Sequence, residues 1–549
     1  MSDDAQKLDP SSFEPPGPGS WIVDAVHAPR PFSRFQSEIH PLNLQAGFRE
    51  SARRYGLLVD TLDWRFVNGF AYFTVAPAPA EEIPARFGAA EDALERKLWR
   101  EDMDLWERET KPAAIAAHLA LQAVDPRTLD QDELLAHLDR CREHQQRMIR
   151  QHHTFNAAAM LPAGDYMAHV GEWTQQPLGE FMALLRGAAP ESAGAFPELD
   201  RLTTAIRAST EAQAVLASEA GASDILEQLR SQPGDVGSAT SGYLDVVGYR
   251  LLDSLDTGDP YALEVPEVLV NGIRLAVDTG APASNVASDD EVARIRARVP
   301  AEHRTEFDDL LAEARFTSKL RDERGLYSEV WAGGITRRAI LAAGERLTDQ
   351  GRIDAPAHLA EAGYEEMRAL IGGLDGPSAE ELAGRAHYRA TYRASDAPPW
   401  LGSPPQPPPP LDGLPAPVAR LMRAMGTAID SLFRGAEVES DAMVVRGIGA
   451  SPGVVTGTAR LAGGPAEFDR LKRGDVLVTA STTESFNIVL PILSAIVTDS
   501  GGLLSHAAIV SREYGIPAVV GCGDATALIA DGAQVRVDGT SGEVTVLAS

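Results

Sequence analysis

From about residue 85 to residue 395, apolar residues return every three or four positions with charge between them, as in DALERKLWREDMDLWERE, DELLAHLDRCREHQQRMIRQHH, FMALL and ILEQLR. That spacing predicts packed amphipathic helices, and interspersed Gly and Asp-Pro positions divide them into many elements. The preceding stretch is mixed. WIVDAVHAPRPFSRF carries turn signals, LNLQAGFRESARRYGLLVD predicts one helix, and RFVNGFAYFTVAP predicts a β-hairpin turning at Asn68-Gly69. The pattern changes again at SDAPPWLGSPPQPPPPLDGLPAPVARL, beginning at Ser395, where prolines 407 to 410 exclude both helix and central strand. An extended, semi-rigid spacer is expected there, followed by a helix in PVARLMRAMGTAIDSLF. Beyond it, MVVRGIGASPGVVTGTARL, GDVLVTAS, AIVTDS, IPAVVG, QVRVDG and GEVTVLAS read as short strands around one helix, HAAIVSREYG.

The expected architecture is multidomain α+β: a large mainly helical domain, a proline-rich linker and a compact C-terminal α/β domain. The boundaries read as a flexible leader over 1–20, a small mixed segment over 21–84, helices over 85–395, the linker and its helix over 396–443, and the α/β domain over 444–549. A chain of 549 residues exceeds what one core organises.

Composition narrows the function classes. The formal net charge is -29, with only five lysines among the 50 basic residues, which disfavours nonspecific binding to nucleic acid or anionic membrane. No apolar run approaches the roughly 18 residues of a membrane span, and the acidic, proline-rich MSDDAQKLDPSSFEPPGPGS does not resemble a secretory signal. A cytoplasmic location is the default. Cys141 and Cys522 are too few and too far apart for a disulfide scaffold or thiolate metal site, and are expected to be free structural thiols.

The segment IVTDSGGLLSH, residues 496 to 506, reads as a strand passing through two glycines into a helix. Ser505 is a suitable N-cap, which puts His506 in the first helical turn. There the backbone amides and the positive end of the helix would stabilise a phosphoryl group on the imidazole, and an unprotonated ring nitrogen is an adequate nucleophile. By pattern alone, a cap or surface histidine is the more ordinary reading.

The ordered set GIGASPGVVTGTARL, GDVLVTAS, AIVTDSGGLLSHAAIVSREYGIPAVVG and VRVDGTSGEVTVL resembles the phosphohistidine swivelling domain of the PEP-utilising enzyme family. The resemblance covers about residues 447 to 547. It implies that His506 is the phosphorylated histidine and that Gly501, Gly502 and Ser505 shape its approach. Arg512 is a candidate phosphate contact, with a surface salt bridge as the plainer expectation; Asp499 is a candidate for orienting the ring, with a strand-end acid as the plainer one. Thr479, Ser481 and Thr482 fall where the family often has threonine and proline, and TASTTESFN lacks the proline.

More faintly, HAPRPFSRF, VVGYRLLDSLDTGDP and GLYSEVWAGGITRRAILAAGERLTDQGRI resemble the helical acceptor portion of rifampicin phosphotransferase-like proteins and phenylphosphate synthase. Gly-Tyr249-Arg250 stands where relatives often have a histidine before the arginine. Candidate acceptor-site residues are His27, Arg30, Arg54, Arg250 and Arg321, each arginine being first of all expected to form a salt bridge or an exposed cation. Trp64, Phe70, Tyr72 and Trp173 are candidates to line an aromatic pocket, with core packing more ordinary. His152 and His153 are adjacent, so they should point apart along a helix; they are expected to be exposed or to terminate the helix, and no metal site is expected.

The family takes phosphate from ATP on an ATP-grasp domain or from PEP on a barrel, and neither is recognisable in this sequence. The resemblance therefore implies a carrier and acceptor component that receives phosphate from a separate ATP-grasp protein holding ATP and Mg2+, with no tightly bound cofactor of its own, a small-molecule acceptor and an oligomeric state left open. The alternatives are a self-contained PEP- or ATP-dependent phosphotransferase and a non-enzymatic, phosphohistidine-regulated interaction protein.

Overall fold

A computed structural model describes residues 12–194, 196–252, 254–279, 286–433 and 443–547. Its contacts divide the chain into two units, the first of Met1–Ala157, Tyr249–Tyr261 and Arg324–Ala419, the second of Ala158–Gly248, Ala262–Glu323 and Arg420–Ser549. The helices expected over 85–395 are shared between the two.

The first unit carries a sheet of β1 (Ser20–Val23), β2 (Val59–Val67), β3 (Phe70–Pro77) and β4 (Trp400–Gly402), in the order β2-β3-β1-β4. The hairpin turns where expected: Asn68 and Gly69 have φ of 51° and 80°, the positive pair that suits the twist of two antiparallel strands. Phe70 and Tyr72 pack with Phe13, Trp21 and Leu401, so both aromatics are core. The expected leader lies outside the described residues up to residue 11, and Phe13 just beyond is buried. Strand β4 sits inside the segment expected as linker, held through Trp21↔Leu401 pairing; the exposed proline stretch follows it.

Three helices of this unit position the groups described below: α1 (Arg34–Arg54), α2 (Gln131–Thr154) and α3 (Glu329–Asp349). Helix α2 packs against both α1 and α3. Gly47 makes the first contact this close: a Cβ there would meet the Arg150 carbonyl oxygen at 2.1 Å and the His153 Cβ at 2.9 Å. DALERKLWREDMDLWERE, expected as one helical pattern, is broken by Lys97 at φ 52° into Ile83–Arg96 and Leu98–Leu105, and then widens into a π turn at Trp106–Thr110.

In the second unit, helices precede α4 (Ala416–Phe433, whose first turn falls in the first unit) and an eight-stranded mixed sheet. The strands are β5 (Val444–Arg446), β6 (Ile448–Ser451), β7 (Val454–Leu461), β8 (Val476–Thr479), β9 (Ala495–Thr498), β10 (Ala518–Val520), β11 (Gln534–Asp538) and β12 (Glu543–Val546). Their order is β5-β12-β11-β7-β8-β9-β10-β6, with β7 through β10 parallel and the flanks antiparallel. Val476, Val478, Ala495, Val497 and Val519 form the core, as expected of strands covered on both faces.

This α/β body rests on the helical part of the same unit. Glu513 accepts from the Gly187 and Ala189 amides at 3.0 and 3.1 Å, Asn487 donates to the Ser192 carbonyl at 2.8 Å, and a Cβ on Gly179 would meet the Gly449 carbonyl oxygen at 2.1 Å. Among the described residues no helix is long and apolar enough to cross a membrane. Cys141 and Cys522 are free and buried, and burial pushes both thiols up to about 12.

Candidate functional site

Strand β9 ends at Thr498, and the chain turns through Ser500-Gly501-Gly502 into α5 (His506–Tyr514). Gly501 has φ 101°, a conformation open chiefly to glycine. A Cβ on Gly502 would meet the Ser431 carbonyl oxygen of α4 at 2.2 Å, and that same oxygen accepts from the Leu504 amide at 3.2 Å. Ser505 caps the helix, its hydroxyl accepting from the Ala508 amide at 3.4 Å. His506 is therefore the first residue of α5, at the end where amides point outward without helical partners.

The ring is held from the β8 side. Thr482 Oγ1 lies 2.9 Å from His506 Nδ1. Its loop is braced by Thr479 donating to the Ser481 carbonyl at 3.1 Å, and by the Asp499 and Ser500 amides donating to the Thr479 and Ala480 carbonyls at 3.1 and 2.9 Å. His506 Nε2 is buried and has no hydrogen-bond partner among the described residues. When Nδ1–H donates to Thr482, Nε2 keeps its lone pair, which is the nucleophilic tautomer.

Asp499 follows the plainer expectation of a strand-end acid, its carboxylate accepting from the Thr526 amide at 2.9 Å and from the Thr526 hydroxyl at 2.5 Å, and Thr482 is the group beside the ring. The surface expectation for Arg512 is corrected. Arg512 is no surface cation: it is buried on α5, with Nη1 donating to the Ala450 carbonyl at 3.4 Å. Burial pulls its guanidinium down to about 10, with Glu513 and Asp322 opposing.

Each of the expected acceptor residues has a partner within its own unit. His27 Nδ1 pairs with Asp24 at 3.0 Å, Arg30 with Asp259 at 3.0 Å, and Arg54 with Asp102 at 2.8 Å. Arg250 is buried over the Tyr327 ring at 4.9 Å. These four belong to the first unit, whereas Arg321, 3.8 Å from Asp322, belongs to the second. Trp64 packs on His40, with ring centroids 5.2 Å apart, and Trp173 stacks on His303 at 4.6 Å.

A buried constellation in the first unit escaped the sequence reading. His40 of α1, His153 in the last turn of α2 and Glu329 at the start of α3 each offer one donor atom, all within 4.8 Å of one another. His152 and His153 do lie at the helix end, one of the two places expected for them, but the expected exposure is overturned. His153 Nε2 is buried, the His152 side chain is 13% exposed, and the two rings stack at 4.5 Å instead of pointing apart. Nothing in the spacing of residues 40, 153 and 329 signals their meeting; only the packing of α2 on α1 and α3 brings them together.

Residues 471–542 match the family described as PEP-utilising enzyme, mobile domain, and residues 151–331 match the rifampicin phosphotransferase fourth domain. Similar proteins include a rifampicin phosphotransferase of Streptomyces sviceus, 27% identical over 59% of this chain and 36% of that protein. A chondramide synthase of Chondromyces crocatus is 27% identical over 96% of this chain and 14% of the synthase. A probable phosphoenolpyruvate synthase of Pyrococcus horikoshii is 49% identical over 20% of this chain and 13% of the synthase. The chain thus spans little more than a third, or less, of the length of these relatives.

Proposed function

We propose, on the premise that this chain is a member of the PEP-utilising, phosphohistidine swivelling-domain family related to rifampicin phosphotransferase and PEP synthase, that it is a phosphotransferase working through a covalent phosphohistidine at His506. The observation that carries the reading is the state of the ring. Nδ1 is engaged by Thr482, while Nε2, on the first residue of a capped helix, has no hydrogen-bond partner among the described residues.

In the first step the Nε2 lone pair attacks the donor's phosphorus, and the bond from phosphorus to the leaving oxygen breaks. The Nδ1–H to Thr482 bond supports the charge that develops on the ring, and the helix amides face the phosphoryl oxygens. In the second, an acceptor oxygen attacks phosphorus, the N–P bond breaks with its electrons returning to Nε2, and the acceptor's proton passes to a base. The acceptor is a small-molecule hydroxyl or carboxylate.

The relatives bear on the donor. Rifampicin phosphotransferase and PEP synthase carry the matching segments inside one much longer polypeptide, of which this chain spans 36% and 13%. That favours PEP or ATP recognition within the same polypeptide over a separate ATP-grasp protein. The test incubates the purified chain with radiolabelled PEP or ATP, alone and with an ATP-grasp protein. Label on the chain alone supports the self-contained reading, label only with the added protein restores the two-component reading, and no label under any condition overturns the phosphotransferase.

A further inference from the structure

We propose that His40, His153 and Glu329 form a binding site for one divalent transition-metal ion of the zinc class, with a coordination position left open for water or an oxygen ligand. The site lies wholly in the first unit and does not depend on the reading of His506.

The three groups come from three helices and offer a chemically coherent set. His40 is fully buried between Phe32 and Trp64, with ring centroids 5.9 and 5.2 Å away, and its Nε2 has no hydrogen-bond partner among the described residues. His153 Nε2 and Glu329 Oε2 are likewise buried without one. The other carboxylate oxygen, Oε1, is in ion-pair contact with His152 Nδ1. Buried polar atoms without hydrogen-bond partners among the described residues are costly unless something binds them. A tetrahedral zinc ion with bonds of about 2.0–2.2 Å sets its donors about 3.3–3.6 Å apart, so atoms within 4.8 Å of one another would have to close by up to about 1.5 Å on binding.

Charge and softness point the same way. Ligation requires neutral imidazoles, and burial lowers the affinity of both for a proton. Burial alone pushes the Glu329 carboxyl upward, and a dication beside it would restore the carboxylate. Two imidazoles and one carboxylate suit zinc, cobalt or iron(II) and not magnesium or calcium, which prefer all-oxygen sites. The other charged groups felt at the site are His27, Asp24, His152 and Arg324.

The outer contacts make the proposal specific. Gln36 Nε2 lies 3.3 Å from His40 Nδ1, while Gln36 Oε1 accepts from Gln145 Nε2 at 3.0 Å and Gln145 Oε1 is an orphan. If both amides reverse, His40 donates Nδ1–H to Gln36 and the Gln145 oxygen gains a donor, which readies Nε2 for a metal. His153 is less prepared. Asn156 Nδ2 faces its Nδ1 at 3.2 Å because Arg324 holds Asn156 Oδ1. Coordination at His153 Nε2 therefore requires Asn156 to turn against Arg324. Asn156→Asp would supply an acceptor to both neighbours at once.

The experiment titrates the chelator-treated full chain with Zn2+ against a chromophoric competitor, and separately records the visible spectrum with Co2+. One ion per chain and the intense ligand-field bands of low-coordinate cobalt are expected, with no competition from Mg2+. Glu329→Gln and His40→Ala should each weaken binding by on the order of 100-fold or more, and Asn156→Asp should tighten it about tenfold, since even outer partners carry effects of this size. Circular dichroism identifies any variant that fails to fold; Glu329→Gln, nearly isosteric, then carries the test with the parent's cobalt spectrum. Stoichiometric binding that survives both ligand substitutions, or a parent chain that binds no zinc and shows only the spectrum of hydrated cobalt, overturns the proposal. Neither readout involves phosphate, so its failure is separate from that of the phosphotransferase reading.

Discussion

Thr482 and His506 stand 24 residues apart, yet the threonine hydroxyl lies 2.9 Å from Nδ1, and where Nδ1–H donates to it Nε2 is the nitrogen free to react. Thr482→Val keeps the shape and removes the acceptor of Nδ1–H. It should slow phosphorylation of His506 by at least about tenfold, because the wrong tautomer presents no lone pair, while Thr482→Ser should recover most of the rate; initial rates of label incorporation check both. The place of His506 at the helix start was legible, since a glycine turn, an N-capping serine and a histidine are all local in the chain, whereas its candidacy for phosphorylation came from the ordered motifs around it. Its partner was not singled out: Thr482 was only one of three hydroxyls, and Asp499, nearer in sequence, was the candidate to orient the ring. The same reasoning explains why His40, His153 and Glu329 went unread. Each lies on a helical pattern that accounts for it locally, and their convergence is a property of three packed helices.

Among the elements, α5 and the strands around it were read from pattern almost residue for residue, because parallel core strands are continuous apolar runs bounded by glycine. The short strand β4 was hidden by the prolines that follow it, since three residues at a sheet edge have too little pattern to read. The turn into α5 depends on two contacts that can be removed singly. Ser505→Ala should cost about 1 kcal/mol of stability through loss of the cap. Gly502→Ala, whose Cβ would lie 2.2 Å from the Ser431 carbonyl oxygen, forces α4 and the His506 loop apart. An overpacked contact of this kind costs about 1–3 kcal/mol. Urea denaturation of the two variants beside the parent measures both, and an unchanged midpoint for Gly502→Ala would show that the loop is not seated on α4.

Over the whole molecule, the sequence separated a helical body from a C-terminal α/β body but gave no sign that the helical part is divided between two units, because that division depends on which distant segments pack together. The molecule's acidity includes one buried group with a pH signature. Burial raises the Glu361 carboxyl from 4.5 to about 7, against the pull of Arg389 and Arg385. Below 4.5 the folded and unfolded chains both hold this proton; between 4.5 and about 7 the unfolded chain releases it first, so the contribution to stability falls as pH rises and then levels off. Glu361→Gln should therefore be more stable than the parent by up to about 3 kcal/mol at about pH 8, and the advantage should vanish towards pH 4.5. Thermal melts across that range provide the comparison.

Whether this chain carries phosphate on His506 is decided by mapping the modification. The full chain, exposed to its phosphoryl donor, is digested at alkaline pH, where a phosphoramidate survives, and its peptides are sequenced by mass spectrometry. One phosphoryl group on the peptide containing SHAAIVSR, assigned to His506, lost on acid treatment and absent from His506→Ala, is the predicted result. Phosphate assigned to another residue, or retained at the parent level in His506→Ala, would contradict the account.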